Sequence, residues 1–416
     1  MKILLFVYTL LFSIILGCSA GKYHDTQLTL PEGFSATVFA DSVGRARHII
    51  VNENGDVYVA LRRPHKDGGG IVALRDSDGD GRADIIKRFG EFGGTGIDIR
   101  NGYLYFAPDT AILRYKLNPD ELLPALTPEA VVNEIPKGRQ HAVKPFTFDD
   151  SGNLYVDIGA PANACQEKMR TKESPGMDPC PLLDKFAGIW RFKADELGQT
   201  QDEHGYRYAT GIRHAVALDW KHDTGELYAV QHGRDQLNTL WPEFYNDEQN
   251  AELPAEEFFK VTEGSDFGWP YCYYDHLRGK KVLSPEYGGD GQKTDRCESC
   301  DDPILAFPGH WAPNDLIFYT GSQFPTKYMN GAFIAFHGSW NRAPLPQKGY
   351  KVVFVPFKGD MPSDDYEVFA DGFAASDTLE TPGDAKSRPM GLAEGPDGSL
   401  YVTDSVKGKI WKITYN

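Results

Sequence analysis

Positive charge is what this chain lacks most. It sets 43 Lys and Arg against 59 Asp and Glu, giving a formal charge of -16 and a pI near 5.1. A nucleic-acid surface needs clustered cations facing phosphate, so that class is excluded and a small neutral or cationic molecule is the expected partner. Cysteine is scarce too, with six in 416 residues. Cys297-Glu298-Ser299-Cys300 has the outline of a zinc or haem motif. No second CxxC accompanies it, and Asp301 rather than His follows, which argues against both.

Beyond the N-terminus the chain has no long apolar run. The stretch from Ile3 to Leu16 is too short for a comfortable membrane span. With Lys2 before it and Gly17-Cys18-Ser19 after it, the segment reads as an export signal. Ile15-Leu16-Gly17-Cys18 resembles the bacterial lipobox, in which the signal is cut before Cys18 and the thiol takes lipid; an ordinary signal peptide with a chance Cys is the alternative. The expected organisation is a signal over 1–17, a lipid-anchored linker over 18–27 and one folded unit over 28–416. Its expected place is the cell envelope, facing the periplasm or carried on the outer membrane, with no contact to membrane except the lipid. Export permits disulfides, and Cys165 with Cys180 and Cys272 with Cys297 would each close a loop, leaving Cys300 free.

Glycine, at 43 residues, and aromatics, at 12%, are plentiful and occur in a repeat. Asn54-Gly55-Asp56-Val57-Tyr58-Val59 recurs at 101–106, 151–156, 224–229, 330–335 and 397–402. Each copy is a tight turn followed by an alternating apolar strand, the sequence form of a β-hairpin. One hairpin buries only part of its apolar surface, so six of them predict an all-β, six-bladed β-propeller stacked around an axis. Long insertions are expected around 161–187 and 235–310, which are rich in Pro, Gly and acidic residues.

Ahead of several turns, the apolar strand opens on a large polar side chain. These are Arg47 and His48, His141, Arg213 and His214, His310, and Arg388; the second repeat has Thr95-Gly96 instead. The innermost strand of a propeller blade lines the channel, so these starts are expected to converge on one face as a site.

Several ordered segments then carry a resemblance. They are His141-Ala-Val-Lys-Pro-Phe146, Arg213-His214, Gln231-His232-Gly233-Arg234-Asp235, Phe267-Gly-Trp-Pro270, His310-Trp-Ala-Pro-Asn-Asp315, His337-Gly-Ser-Trp340-Asn-Arg342 and Arg388-Pro-Met390. In this order they resemble the soluble quinoprotein sugar dehydrogenases, most of all the sorbosone and pyranose dehydrogenase branch, which uses pyrroloquinoline quinone (PQQ). The resemblance implies oxidation of a sugar hydroxyl, in an aldose or a sugar aldehyde hydrate, by hydride transfer to the quinone. It implies His141 as general base, for which imidazole has a suitable pKa, and Arg213 as the group that holds and polarises the quinone. His337, Trp340, Arg342 and Arg388 join Arg47, His214 and His310 as expected cofactor residues; for His337 and Trp340, aromatic core at a blade edge is the alternative. Ca²⁺ is expected on the main-chain carbonyls of Gly233 and Arg234. With no CxxCH haem motif, electrons must leave to a separate quinone or cytochrome.

Two residues depart from the pattern. Ala160 stands where relatives place the acid that orients the base, leaving Asp157 or another group to substitute, and Met390 replaces a second arginine. Separately, Asp76, Asp78, Asp80 and Asp84 alternate around glycines, as in a calcium loop without flanking helices; a solvated acidic hairpin is the alternative. The competing functions are a metal-dependent lactonase and a non-catalytic glycan- or protein-binding propeller lipoprotein.

Overall fold

The computed structural model describes residues 27–416. The expected export signal and Cys18 lie outside the described residues. No described helix is long and apolar enough to cross a membrane.

Six mainly antiparallel sheets form the body, two of them with a short parallel strand added at the edge. Their innermost strands are Ala46–Val51, Gly94–Arg100, Phe146–Phe148, Ala217–Lys221, Pro313–Phe318 and Pro389–Glu394. Each pairs with the strand of its own hairpin copy, so the six turns read from sequence are the first turns of six blades. The ring closes through the chain ends: Phe34–Ala40 pairs with the last strand, Ile410–Tyr415, as the outer strand of the sixth blade. Every interface between neighbouring blades holds its own buried apolar cluster, which is why a single hairpin could not stand alone.

Five turns place their glycine in the left-handed region, but in the fifth blade Asn330 takes that conformation (φ 59°). Gly331 is needed for space instead, because an added Cβ would meet the Phe354 ring at 2.3 Å. That ring is locked against Tyr328 and Phe333, with centroids 4.8 and 5.0 Å away. Gly331→Ala is therefore expected to cost about 1–3 kcal/mol by overpacking, measured as a lower denaturation midpoint with an unchanged m-value.

Both expected insertions are present, with one correction. The span 235–310 is not continuous loop, since it contains the outer two strands of the fourth blade, Glu256–Val261 and Leu305–Phe307. Around them stand the short helix Asp247–Glu252 and the hairpin Cys272–Asp275 with Lys280–Leu283. The disulfides pair Cys165 with Cys180 and Cys272 with Cys297 as expected, and Cys300 is free.

Candidate functional site

The strand starts do converge, but on three levels. His141, Arg213 and His310 lie five residues before Phe146, Leu218 and Asp315, which pair with equivalent hairpin positions. His214 and Arg388 lie four residues before Leu218 and Leu392, and Arg47 only two before Ile49.

At the outer level, half-buried His141 adopts a left-handed conformation (φ 51°) and its Nδ1 lies 2.6 Å from the carbonyl oxygen of Ala160. A carbonyl can only accept, so Nδ1 carries the proton and Nε2 keeps its lone pair. The main chain of Ala160 thus fixes the tautomer of His141. Asp157 is engaged elsewhere, on His214 Nδ1 at 2.8 Å and on the Ala215 amide at 3.1 Å. His214 stacks beneath His141 with ring centroids 4.8 Å apart. Gly159 permits this approach, since its Cβ would stand 2.5 Å from His214 Nδ1. Burial, then the nearby Arg213 and His214, depress the His141 pKa well below 6.5. Its ring is neutral at physiological pH.

Arg213 is 3% exposed and fully engaged. Its Nη1 donates to the Gly233 carbonyl at 2.8 Å, and Nη2 to Asp235 at 2.9 Å and to Asn163 at 3.1 Å. Asp235 also accepts from Arg170 at 2.8 Å and from Asn341 at 2.7 Å. Burial alone would raise this carboxyl, but Arg213 and Arg170 outweigh it and hold the pKa below the usual range. The Arg234 side chain is buried against Glu286.

On the opposite side of the mouth, Arg47, Arg62, Arg388 and His337 line a cleft of about 380 Å³. Arg62 is paired with Asp109 at 3.0 Å. Arg47 donates to the Thr95 hydroxyl, and Arg388 donates to the carbonyls of His337 and Gly338. Neither has a carboxylate within ion-pair distance among the described residues. Burial, reinforced by Arg62, lowers the Arg47 pKa to about 9. Half-buried guanidiniums without a carboxylate partner fit an anionic group that carries several carboxylates. Met390 is fully buried with Val143 and Val216, an apolar contact.

Three expected cofactor residues sit differently. Arg342, 2% exposed, directs its donors to the carbonyls of Ala251, Gly309 and Pro346 and to Glu252, so it is not part of the unpaired cationic cluster. His310 is buried and bonded to the Asn250 carbonyl at 2.8 Å, bracing the same short helix. Trp340 is 52% exposed, neither enclosed with the cleft nor part of the core. His337 does line the cleft and meets the Ser405 hydroxyl at 2.6 Å.

Sequence reasoning missed Arg170, Asn163, Asp235, His232 and Arg62. Asp235 and His232 stood inside a motif already singled out, whereas Arg170 sits in an insertion with no signal. The far end of the channel is acidic: a cavity of about 360 Å³ is lined by Asp98, Asp219 and Asp315. Burial lifts Asp98 to about 6 and Asp219 to about 7. The basic end is thus the one suited to an anionic ligand. In the acidic loop, Asp76, Asp78 and Asp80 bring ligand oxygens within 4.8 Å of one another, while Asp84 turns away to bind the Ser77 amide and hydroxyl.

A six-bladed propeller with a histidine, an anchored arginine and a cationic cleft at one mouth defines the class. The chain belongs to the TrAA12-like family, which it matches over residues 28–416. It is 29% identical over 210 residues to an uncharacterised protein of Borreliella burgdorferi, covering 50% of this chain and 48% of that one. It is also 27% identical over 266 residues to a pyrroloquinoline quinone-dependent pyranose dehydrogenase of Coprinopsis cinerea, covering 55% of this chain and 34% of that one. The chain therefore spans about half the length of the first relative and about a third of the second. Among solved structures, the holo PQQ domain of the Coprinopsis cinerea pyranose dehydrogenase superposes with a TM-score of 0.73 at 18% identity, covering 94% of this chain and 97% of that one. The calcium structure of a Trichoderma reesei family AA12 enzyme gives 0.75 at 18% identity, with coverage of 94% and 97%. At these identities the structural likeness speaks for the fold.

Proposed function

We propose that this protein oxidises a sugar, an aldose or sugar aldehyde, by hydride transfer to PQQ held with Ca²⁺ at the basic mouth, and passes the electrons to a separate quinone or cytochrome. One observation carries the reading: His141 has a fixed tautomer with Nε2 free, across the mouth from a cleft whose half-buried Arg47 and Arg388 lack carboxylate partners. The three carboxylates of PQQ match that cleft in chemistry, and the Coprinopsis cinerea relative named for PQQ-dependent pyranose oxidation supports the assignment.

PQQ bound with Ca²⁺ supplies an electrophilic carbon that accepts hydride and a Lewis acid beside it. The chain's residues do the rest. Nε2 of His141 would accept the hydroxyl proton as the C–H hydride leaves, so a proton and a hydride, which carries both electrons, part from the sugar along separate routes. Ala160 holds the ring so that Nε2, not Nδ1, meets the substrate. The imidazolium that forms is stabilised through its Nδ1–H bond to the Ala160 carbonyl. Arg213, fixed by Asp235 and Asn163, would supply a rigid positive charge to the quinone site, and Arg47, Arg388 and His337 would hold the carboxylates. The carbonyls of Gly233 and Arg234 are the proposed metal ligands; a carbonyl has two lone pairs, so the Arg213 bond to Gly233 leaves one available.

Reconstitution with PQQ and Ca²⁺, followed by dye reduction over aldoses and sugar aldehydes, tests this function. Failure of the protein to bind PQQ would end it and favour a binding propeller. Asp76, Asp78 and Asp80 are proposed to hold a second, structural Ca²⁺. For the PQQ-loaded protein, excess Ca²⁺ is then expected to raise the melting temperature by ligand linkage. Asp78→Asn is expected to abolish that rise without changing the dye-reduction rate. Lipidation of Cys18 and an envelope location complete the proposal; a Cys18→Ser variant that stays in the membrane fraction would count against the anchor.

A further inference from the structure

We propose that Gln201, Thr200, Glu134 and Glu203 hold a divalent cation, Ca²⁺ by their chemistry, at the seam where the third blade lends a strand to the second. The site is independent of the oxidation proposed above and of the acidic loop at Asp76.

An excursion of the chain builds this seam. After its third strand, Gly188–Lys193, the third blade sends out the two-residue strand Gln199–Thr200 before returning with Tyr206–Thr210. The short strand runs parallel to Glu129–Asn133, the outermost long strand of the second blade, with Gln199 on Val132 and Thr200 on Asn133. Where the pairing ends, Glu134 from one blade and Thr200, Gln201, Asp202 and Glu203 from the other line a cavity of about 230 Å³ together with Lys185.

Two oxygens in this lining have no partner. Gln201 is 7% exposed, and its Nε2 donates to the Lys185 carbonyl at 3.0 Å. A carbonyl can only accept, so the amide cannot be turned over, and Oε1 is left buried with no hydrogen-bond donor. The Thr200 hydroxyl is buried and unpartnered as well. Such atoms are costly in a folded protein unless something completes them.

Charge decides what that is. Asp202 pairs with Lys185 at 2.8 Å, whereas the exposed Glu134 and Glu203 have no ion-pair partner among the described residues. An anion would meet two uncompensated carboxylates and an amide oxygen that only accepts. A divalent cation meets an amide oxygen, a hydroxyl and two carboxylates whose charges balance its own, with waters to fill its shell. Oxygen-only ligands of mixed charge in an irregular cavity suit Ca²⁺, since Mg²⁺ demands a near-ideal octahedron. Rigid placement on a sheet edge favours tight binding. The site is therefore expected to fill during loading with Ca²⁺, leaving the effect of excess Ca²⁺ to the Asp76 loop.

The test uses the full chain, PQQ-free and stripped with chelator, carrying Asp78→Asn to silence that loop. CaCl₂ is titrated by calorimetry, and crystals grown with CaCl₂ are searched for anomalous scattering. A peak in the cavity is expected, and Gln201→Leu, Glu134→Gln and Glu203→Gln are each expected to raise the Kd of that ion by about tenfold or more. The two glutamate variants change exposed side chains, so the test stands even where Gln201→Leu fails to fold. Ca²⁺ affinity unchanged in both glutamate variants overturns the site, as does a cavity that holds water alone in the crystal. Spermidine is titrated in parallel: binding that needs Gln201 and Glu134, where Ca²⁺ does not bind, would make this an ammonium site and overturn the metal.

Discussion

His141→Ala is expected to lower kcat for sugar oxidation by about 10²–10⁴-fold, the usual contribution of a positioned general base, while PQQ affinity stays within a small factor. No other imidazole can step in. His214 lies under the His141 ring and is 4% exposed, with Nδ1 on Asp157, and His232 Nε2 is engaged by the Pro313 carbonyl at 2.7 Å. The pH profile should carry the same signature. The base must be unprotonated, and burial with Arg213 and His214 lowers its pKa well below 6.5. Activity should therefore hold through neutral and mildly acidic pH, falling only as pH drops through the lowered value. An acid limb at the ordinary histidine pKa would mean that His141 is not the base, as would full activity in the alanine variant.

Asp235→Ala is expected to cost about 3–5 kcal/mol of stability, the range seen when one partner of a buried ion pair is removed, and to abolish PQQ binding. This carboxylate balances Arg213, which is nearly inaccessible, and Arg170 at the lip. It also accepts from Asn341, so its loss unties three segments at once. Arg213 would keep only carbonyl partners and Asn163. The pH dependence has a definite sign. The folded pKa lies below the unfolded value of about 3.9, so this stabilisation is complete above about pH 4 and is lost as pH falls through the folded value. Thermal unfolding of parent and variant should converge at strongly acid pH and stay apart at neutral pH. Parallel curves would show that Asp235 acts through packing rather than charge.

How much of this was legible depends on the kind of interaction. The six turns were readable because a tight turn needs glycine or asparagine locally, and the next strand must alternate to bury one face. Both disulfides were readable from loop closure. His141, Arg213, Arg47 and Arg388 were readable as strand starts, since the start of an innermost strand faces the mouth in any propeller. Arg342 shows the limit of motif reasoning: it sits beside Trp340 and Asn341 in sequence, yet its guanidinium turns back to the carbonyls of Ala251 and Gly309. The orienting partner of His141 was unreadable for a simpler reason. It is a main-chain carbonyl, and every residue has one.

The sequence by itself therefore determined the architecture, because it follows from local turn chemistry and strand phase, while the expectation of His141 as the acid-base group came from the family resemblance. Only the tertiary structure decided which charges are compensated. Arg213 and Arg170 share Asp235 and Arg342 is engaged by backbone and Glu252, whereas Arg47 and Arg388 have no carboxylate partner among the described residues. That sorting depends on contacts between residues far apart in the chain, such as Asp235 with Arg170 and Asn341, and the position of each residue along the chain does not encode it.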